Sequence, residues 1–360
     1  MADIEPVSRE ELVLCVCRHS EYRTGDALDA AIFRNELNSS WQKFLRNLNA
    51  ERTATERDLE EDDNAINEMA ELFRYEHDLI TAEETEKWLR HRGLTLEDFT
   101  DYFSRRYWGT ALEQEDAPKL VDLVSASDGL RDLFIAELIF DGELDRLTTR
   151  LTWRLAAFSK EDVDVPQTEA EREQFLVRHQ ISASKVDYWL KQLGRDQDWL
   201  EQMLAMEAAY RRAHEKVLTE EARRKQLTLL RMQLTRFEAE VIGVESRDAA
   251  KEAFFCIQED GMSMEEIAAE GRYLHRRITF RHEDIPPEWQ QKFWSVGVGD
   301  LLEPLERGDG FELYRITRKS EPDLDDRVVQ ERIDQRLLEQ HFSALARENV
   351  QMRLEETATE

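Results

Sequence analysis

The alternation of apolar and polar residues is clearest between residues 237 and 320. A β-branched run at 241–244 (Val-Ile-Gly-Val) indicates a buried strand, and the residues after it have helical spacing. A short second helix is opened by residues 263–266 (Ser-Met-Glu-Glu), and a closing strand rich in aromatic residues follows the turn at 308–310 (Gly-Asp-Gly). We therefore predict an ordered α+β module over 237–320.

Most of the remaining chain has the spacing of helices. Apolar residues recur densely over 120–158, which is typical of packed helices. Few helix-breaking residues occur over 198–237, so one or two long helices should lead into the module. The segment 324–354 has apolar positions at helical spacing and predicts a closing amphipathic helix.

Two segments about a hundred residues apart share a pattern of aromatic, histidine and glycine positions. The matched residues are Phe73 and Phe175, His77 and His179, Ile80 and Ile181, Trp88 and Trp189, and Gly93 and Gly194. In the first segment Thr81 lies three residues before Glu84, which is the spacing of a capping box, and each glycine is placed to end a helix. We interpret the pattern as a duplicated helical unit in which the tryptophans and histidines are structural.

These patterns predict a mostly α fold with an α+β module. The expected parts are an N-terminal helical segment at 1–60, a first helical repeat at 61–125, a second helical repeat and long helix at 126–236, the α+β domain at 237–320, and a C-terminal helix at 321–360 that packs on the helical part. The composition agrees with this prediction, because 35% of the residues are charged while Gly and Pro number only 13 and 7 among 360.

The formal net charge of −29 limits the partners of the chain. An excess of negative charge repels the phosphate backbone of nucleic acids and anionic lipid surfaces. We therefore expect neither nucleic acid binding nor membrane insertion.

The three cysteines, Cys15, Cys17 and Cys256, are too few for a disulfide framework. The Cys-x-Cys pair has no second pair of ligands nearby, so we expect structural thiols, no metal and no cofactor. The first residues, 1–6, lack a basic segment followed by an apolar one, and no run approaches the roughly 18 apolar residues needed to span a bilayer. The expected location is the cytoplasm.

In the first helical unit Ile80-Thr81 is followed by Glu84 and by Trp88-Leu89, and the second unit has Ile181-Ser182 and Trp189-Leu190 at matching places. Both units precede an α+β domain that is followed by a last helix. This arrangement resembles the SurA and PrsA class of peptidyl-prolyl isomerase chaperones, whose catalytic domain is the parvulin type (PpiC-like). The resemblance covers roughly residues 70–330 and is nearest to the signal-less bacterial relatives linked to peptide maturation or secretion. It implies a duplicated helical chaperone-like domain, a C-terminal parvulin-like domain and a closing helix.

The resemblance also implies a site, in which an apolar cup holds proline and two histidines act on the twisted amide. The histidine positions of the family fall on Val241 and Glu312, so no catalytic residue is assigned. His275 and His282, in the variable loop, are the candidates to replace a lost polar group. The residues implied to bind peptide or proline are Ile285, Trp289, Phe293, Trp294 and Phe311.

Prolyl isomerisation must overcome a rotational barrier of about 18–20 kcal/mol, and an ionised glutamate cannot donate a hydrogen bond to the amide. We therefore favour a polypeptide-binding chaperone or peptide-maturation factor with a degenerate isomerase domain. Two alternatives stay open: an active peptidyl-prolyl cis-trans isomerase, and a helical scaffold that recruits a modifying enzyme or an exporter. The expected partner is an unfolded or precursor polypeptide, together with an exporter or a peptide-modifying enzyme.

Overall fold

A computed structural model of the chain describes residues 8–112, 122–161 and 165–353. Over these residues the protein is mostly helical with two small antiparallel sheets, which confirms the predicted class of a mostly α fold with an α+β module. The helices are α1 Thr24–Phe33, α2 Asn38–Glu56, α3 Asp63–Glu76, α4 Ala82–His91, α5 Leu96–Ala111, α6 Asp128–Phe140, α7 Glu143–Lys160, α8 Val165–His179, α9 Val186–Leu193, α10 Gln197–Val217, α11 Glu220–Leu230, α12 Arg247–Gln258, α13 Met264–Gly271, α14 Pro287–Ser295 and α15 Arg327–Asn349. The strands are β1 Val13–Cys17, β2 Ser20–Arg23, β3 Arg236–Val244, β4 Leu274–Arg281, β5 Leu305–Arg307, β6 Gly310–Ser320 and β7 Val350–Met352. None of the described helices is both long and apolar enough to cross a bilayer.

The chain forms two compact units. The first contains the residues up to Glu215 and those from His341 onward, and therefore holds α1 to α9, most of α10 and the end of α15. The second is Lys216–Gln340, which holds the four-stranded sheet and the helices around it.

Helix ends in the first unit follow the capping signals of the sequence. The hydroxyl of Thr81 accepts a hydrogen bond from the N–H of Glu84 at 3.2 Å, and the Glu84 carboxylate accepts one from the N–H of Thr81 at 2.8 Å. Helix α4 therefore begins with the predicted capping box. Helix α9 ends at Leu193 and is capped by Gly194. The φ of Gly194 is 71°, which lies in the left-handed region that glycine adopts without strain. Ser182 forms no such cap, and a 3₁₀ turn at Ala183–Lys185 precedes α9.

The helices α1–α5 and α6–α10 follow each other in the first unit, and the first helix of each set packs on the other set. Phe33 ends α1 and contacts Phe175 of α8, with ring centroids 5.1 Å apart. Phe140 ends α6 and contacts Phe73 of α3, with centroids 5.9 Å apart. All four rings are buried, so each first helix completes the core of the other set.

Residues 13–23 form a β-hairpin, so the prediction of an N-terminal helical segment at 1–60 is wrong for these residues. Strand β1 pairs with β2, with Cys17 opposite Ser20, and pairs with β7 on its other side. The physical reason lies in the composition of β1, Val-Leu-Cys-Val-Cys, whose β-branched residues favour an extended backbone. Residues 1–7, on which the expected lack of a signal segment depends, lie outside the described residues.

The sheet of the second unit has the strand order β4-β3-β6-β5, and all neighbouring strands are antiparallel. The side chains of β3 alternate between two faces. Val241 lies on the face covered by α14, while Ile242 and Val244 lie on the face covered by α12 and α13.

In the same unit, α11 and α15 are joined by an ion pair. Arg223 of α11 donates to both carboxylate oxygens of Asp334 of α15, at 2.7 and 2.8 Å.

The predicted C-terminal helix at 321–360 is shorter in the structure. Near the end of α15, Phe342 is buried and stacks on Tyr210 of α10 at 4.6 Å. Val350–Met352 then leave the helix as β7, because their backbone groups pair with β1. Residues 354–360 lie outside the described residues.

Candidate functional site

The two faces of the sheet separate the residues implied to bind proline. Ile285, Trp289 and Phe293 lie on the α14 face, where the Phe293 ring meets the Tyr314 ring edge-on at 5.1 Å. Phe311 lies on the opposite face, against α12 and α13. Because side chains alternate along a strand, Phe311 cannot contribute to a cup on the α14 face. Ile285 and Phe293 are themselves buried in the core, with 5% and 1% exposure.

Trp294 lies outside this core and is 47% exposed. Its ring meets the ring of His282 at 5.6 Å. Together with Leu229 and Met232, which are 68% and 48% exposed, it lines a groove of about 560 Å³. Three of the large apolar side chains that this unit exposes therefore meet in one place, which we call the Trp294 groove.

The polar groups at the edge of the Trp294 groove are paired. The ammonium group of Lys319 donates to the carbonyl oxygens of Phe293 and Trp294, both at 3.1 Å, and so satisfies the C-terminal end of α14. Partial burial lowers the pKa of Lys319. Arg231 and Glu321 form an ion pair at the rim. The groove therefore combines three exposed apolar side chains with a polar rim whose charged groups are paired.

The two positions that correspond to the family histidines do not offer a proton donor. Val241 is fully buried and lies opposite Tyr314 of β6. Glu312 is 8% exposed. It lies two residues before Tyr314 on β6, opposite Gly243 of β3. The two positions at which the sequence resemblance implies imidazoles thus hold an apolar side chain and an acidic one.

The carboxylate of Glu312 is held by three donors. It accepts hydrogen bonds from Tyr314 at 2.5 Å, from Arg307 at 3.0 Å and from Arg276. Burial and the bond to Glu312 raise the pKa of Tyr314 to about 12, so the phenol stays protonated as a donor. The hydrogen bond to Glu312 also raises the pKa of Arg307. The Glu312 carboxylate therefore already accepts hydrogen bonds from side chains of the protein itself.

Sequence reasoning missed Arg276, Arg307 and Tyr314. The period of a strand was a usable signal for Tyr314, since residues two apart on β6 share a face with Glu312. The arginines lie on β4 and β5, at either side of the sheet, and only the strand register brings them to Glu312.

The two histidines considered as replacements lie in different places. His275 is part of β4 and pairs with Ile242, so it lies on the face opposite to Val241. His282 is 4% exposed, and its Nε2 atom lies 3.2 Å from the carbonyl oxygen of Gln290. The prediction of a loop position is therefore wrong for His275, which lies on a strand, whereas His282 lies in the 3₁₀ turn His282–Asp284 between β4 and α14, beside Trp294.

In the first unit the matched residues of the two segments form the same cluster of rings. The centroid distances are 4.3 Å for Phe73–His77, 5.4 Å for Phe73–Trp88, 4.7 Å for Phe175–His179 and 5.1 Å for Phe175–Trp189. Burial lowers the pKa of both histidines, so the neutral rings pack as aromatic groups. Phe73, Phe175 and Trp189 are therefore core residues, while His77 lies at the exposed edge of its cluster.

No group of three or more His, Cys, Asp or Glu side chains is placed to hold a metal ion within residues 8–112, 122–161 and 165–353. Cys15 and Cys17 are buried thiols, and Cys256 is partly exposed. Burial raises the pKa of Cys15 to about 12, so this thiol is protonated at neutral pH.

No protein-family model and no curated protein match the sequence. Among solved structures, the chain is similar to peptidylprolyl isomerase PrsA from Bacillus cereus, with 16% identity and a TM-score of 0.38 over 62% of this chain and 88% of that one. It is also similar to PrsA from Bacillus anthracis, with 17% identity and a TM-score of 0.29 over 55% and 93% of the two chains. A SurA-like chaperone from Campylobacter jejuni shows 11% identity and a TM-score of 0.20 over 59% and 88%. These values assign the chain neither to a family nor to an activity.

Proposed function

We propose that this chain binds non-native polypeptide as a chaperone-type protein, and that its α+β module is not an active prolyl isomerase. The observation that carries the proposal is the Trp294 groove, where Leu229, Met232 and Trp294 expose apolar side chains side by side. Large apolar side chains grouped at one exposed place mark sites of interaction on soluble proteins.

An unfolded polypeptide supplies the apolar side chains that such a groove buries. At about 25 cal/mol per Å², the burial of one client side chain contributes about 2–3 kcal/mol. Such a contact is by itself weaker than millimolar affinity. A client that makes a few contacts of this kind is captured and released rapidly, as a chaperone-type role requires.

The second half of the proposal rests on the neighbourhood of Glu312. A catalyst of prolyl isomerisation must stabilise the twisted amide with preorganised polar groups. The side chain of Val241 has no polar group. The Glu312 carboxylate accepts hydrogen bonds from Tyr314 and from two arginines. An ionised carboxylate also accepts but does not donate, so it does not replace an imidazole at the amide nitrogen.

The binding experiment uses as client a protein kept unfolded by reduction and carboxymethylation. Leu229→Glu places a charge inside the groove, and we expect it to weaken client binding about tenfold, which corresponds to the loss of about 1.4 kcal/mol. The control is Phe255→Glu, since Phe255 is also exposed on a helix of this unit but lies outside the groove. Equal affinities for the wild type and Leu229→Glu would refute the proposal.

A protease-coupled assay on a proline-containing peptide tests the loss of isomerase activity. We expect a kcat/KM well below about 10⁴ M⁻¹s⁻¹, the lower end of the ordinary enzyme range. A value in that range that is abolished by Trp289→Ala would instead support an active isomerase.

The narrower form of the proposal makes the client a precursor peptide and adds an exporter or a peptide-modifying enzyme as a partner. It is supported by the resemblance in the sequence alone. Affinities measured for a precursor peptide and for the carboxymethylated protein distinguish a dedicated maturation factor from a general chaperone, because only the maturation factor prefers the precursor.

A further inference from the structure

Strand β4 forms one edge of the four-stranded sheet in the second unit. It is eight residues long and pairs with β3 through an unbroken register of eight residue pairs, from Arg236–Arg281 to Gly243–Leu274. On its other side it pairs with no strand of the described residues. The opposite edge of the sheet, β5, has only three residues. Strand β4 is therefore the long edge of this sheet.

An exposed edge of this length is normally protected against pairing with another chain. The usual devices are a short strand, a bulge, a proline or charged side chains. Strand β4 has no proline, and its register with β3 has no shift, so its protection comes from charge alone. Its charged residues are Arg276, Arg277 and Arg281, with His275 between Leu274 and Arg276.

Arg281 is bound to Asp326 and its side chain is only 13% exposed, so the charge at the open edge comes from Arg276 and Arg277. These two arginines are compensated on one side only. Arg276 pairs with Glu312, and Arg277 pairs with Glu240 at 3.0 Å, but both acids lie further inside the sheet. The side chains of Glu312 and Glu240 are 10% and 18% exposed, whereas those of Arg276 and Arg277 are 41% and 77% exposed. The guanidinium groups therefore form the outer layer, and their remaining N–H donors face solvent.

We propose that β4 binds an acidic, extended segment of a polypeptide as a fifth strand of the sheet. The open backbone groups of β4 supply the main-chain hydrogen bonds, as in other cases where a peptide adds to a sheet edge. The arginines repel a basic segment and attract an acidic one, so they select the partner by charge.

The period of the strand defines the side chains of the bound segment. Successive residues of β4 alternate between the α14 face, which carries Arg276, and the opposite face, which carries Arg277. An added strand places its own side chains beside these two arginines in alternation. Acidic residues on either face therefore meet a guanidinium group.

This inference is independent of the Trp294 groove, since β4 would bind a backbone while the groove takes an apolar side chain. The probe is a fluorescent eight-residue peptide with alternating glutamate and valine, and the control peptide has lysine in place of glutamate. We expect the lysine peptide to bind at least about tenfold more weakly, and binding of the acidic peptide to weaken with salt.

N-methylation of the peptide tests whether its backbone pairs with β4. In an edge strand only alternate N–H groups face the sheet, so methyl groups on one set of alternate residues should weaken binding about tenfold, and on the other set hardly at all. Equal loss or equal tolerance for the two sets would overturn the proposal, and so would equal binding of the lysine peptide.

Arg277→Gln tests the contribution of the edge itself. Arg277 is largely exposed, so the substitution should leave the fold intact, and we expect it to weaken acidic peptide binding severalfold. The matched control is Arg327→Gln, which removes another exposed arginine of the same unit, ion-paired with Glu331, and should bind the peptide like the wild type. Equal effects of the two variants would overturn the proposal. Leu229→Glu in the Trp294 groove should leave the affinity for the acidic peptide unchanged. The proposal for β4 and the proposal for the groove can therefore fail independently of each other.

Discussion

The ring of Phe33, at the end of α1, stacks on the ring of Phe175 in α8, with the centroids 5.1 Å apart and an angle of 12° between the planes. In the other half of the first unit, Phe140 at the end of α6 lies edge-on to Phe73 in α3. The two sets of five helices thus exchange their first helices. Neither set buries its own aromatic cluster without the other, so the two sets should unfold together.

We expect Phe33→Ala to lower the free energy of unfolding by about 3–5 kcal/mol, because it leaves a cavity beside Phe175 in a fully buried place. Urea denaturation measures the change. Combining it with Phe175→Ala should give less than the sum of the two losses, since the stacked pair is removed only once. Additive losses, or a loss as small as that of the half-exposed control Phe255→Ala, would contradict the packing of α1 on the second set of helices as a source of stability.

A buried ion network joins α1 to the second set of helices. Asp29 is 3% exposed and accepts hydrogen bonds from Arg131 at 2.9 Å and from Arg195 at 2.6 Å. We expect Asp29→Ala to cost about 3–5 kcal/mol of unfolding free energy, because it leaves two arginines without their shared acid. Thermal and urea unfolding measure the loss.

The control for this network is an exposed ion pair. Arg327 and Glu331 lie one helical turn apart on α15 with 89% and 60% of their side chains exposed. Glu331→Ala should change the unfolding free energy by less than about 1 kcal/mol. Similar losses for Asp29→Ala and Glu331→Ala would show that burial adds nothing to the network.

Glu51 makes the stability depend on pH. Burial raises its pKa from 4.5 to about 7, against the attraction of Arg105 and with the repulsion of Asp101, Glu61 and Glu137. The folded state therefore holds this proton more tightly than the unfolded state, and its contribution to stability is lost as the pH rises from about 4.5 to about 7.

We expect Glu51→Gln, which mimics the protonated side chain, to stabilise the protein at pH 8 by about 1 kcal/mol, a value reduced for the partial exposure of the carboxyl group. The gain should vanish below pH 4.5. Urea denaturation at the two pH values measures it, and a gain that is the same at both would rule out the titration of Glu51 as its source.

Glu312 is a structural acid in this protein. We expect Glu312→Gln to lower the unfolding free energy by about 1.5–3 kcal/mol, because the bonds from Arg276, Arg307 and Tyr314 lose their charged acceptor. The control is Glu306→Gln on β5, where the side chain is exposed and the change should be small. Acceleration of prolyl isomerisation in the wild type that disappears in Glu312→Gln would instead make this acid catalytic.

The cysteines should differ in reactivity. Cys15 is buried and its raised pKa of about 12 keeps it a thiol, while Cys256 is partly exposed. We expect iodoacetamide to modify Cys256 in the native protein, and Cys15 only after unfolding. Mass spectrometry of the digested protein locates the modified residue, and early modification of Cys15 would contradict its burial.

The starts and ends of individual helices can be predicted from short stretches of sequence. Thr81 and Glu84 predict the start of α4, and Gly194 predicts the end of α9, because a cap depends on residues within one turn. The order of aromatic residues in the two helical segments was equally visible. The hairpin at 13–23 was missed although its β-branched run was present, because its third strand comes from the far end of the chain.

Which residues come into contact depends on the tertiary fold. Phe293 and Phe311 look alike in the sequence, but alternation along β6 places Phe311 on the face opposite to Phe293, and a shift of one residue would have reversed the result. Arg276 and Glu312 meet through register across the sheet, and Trp294 is exposed although the preceding residue, Phe293, is buried. Such contacts depend on the packing of distant segments, whereas periodicity and caps depend on neighbours along the chain.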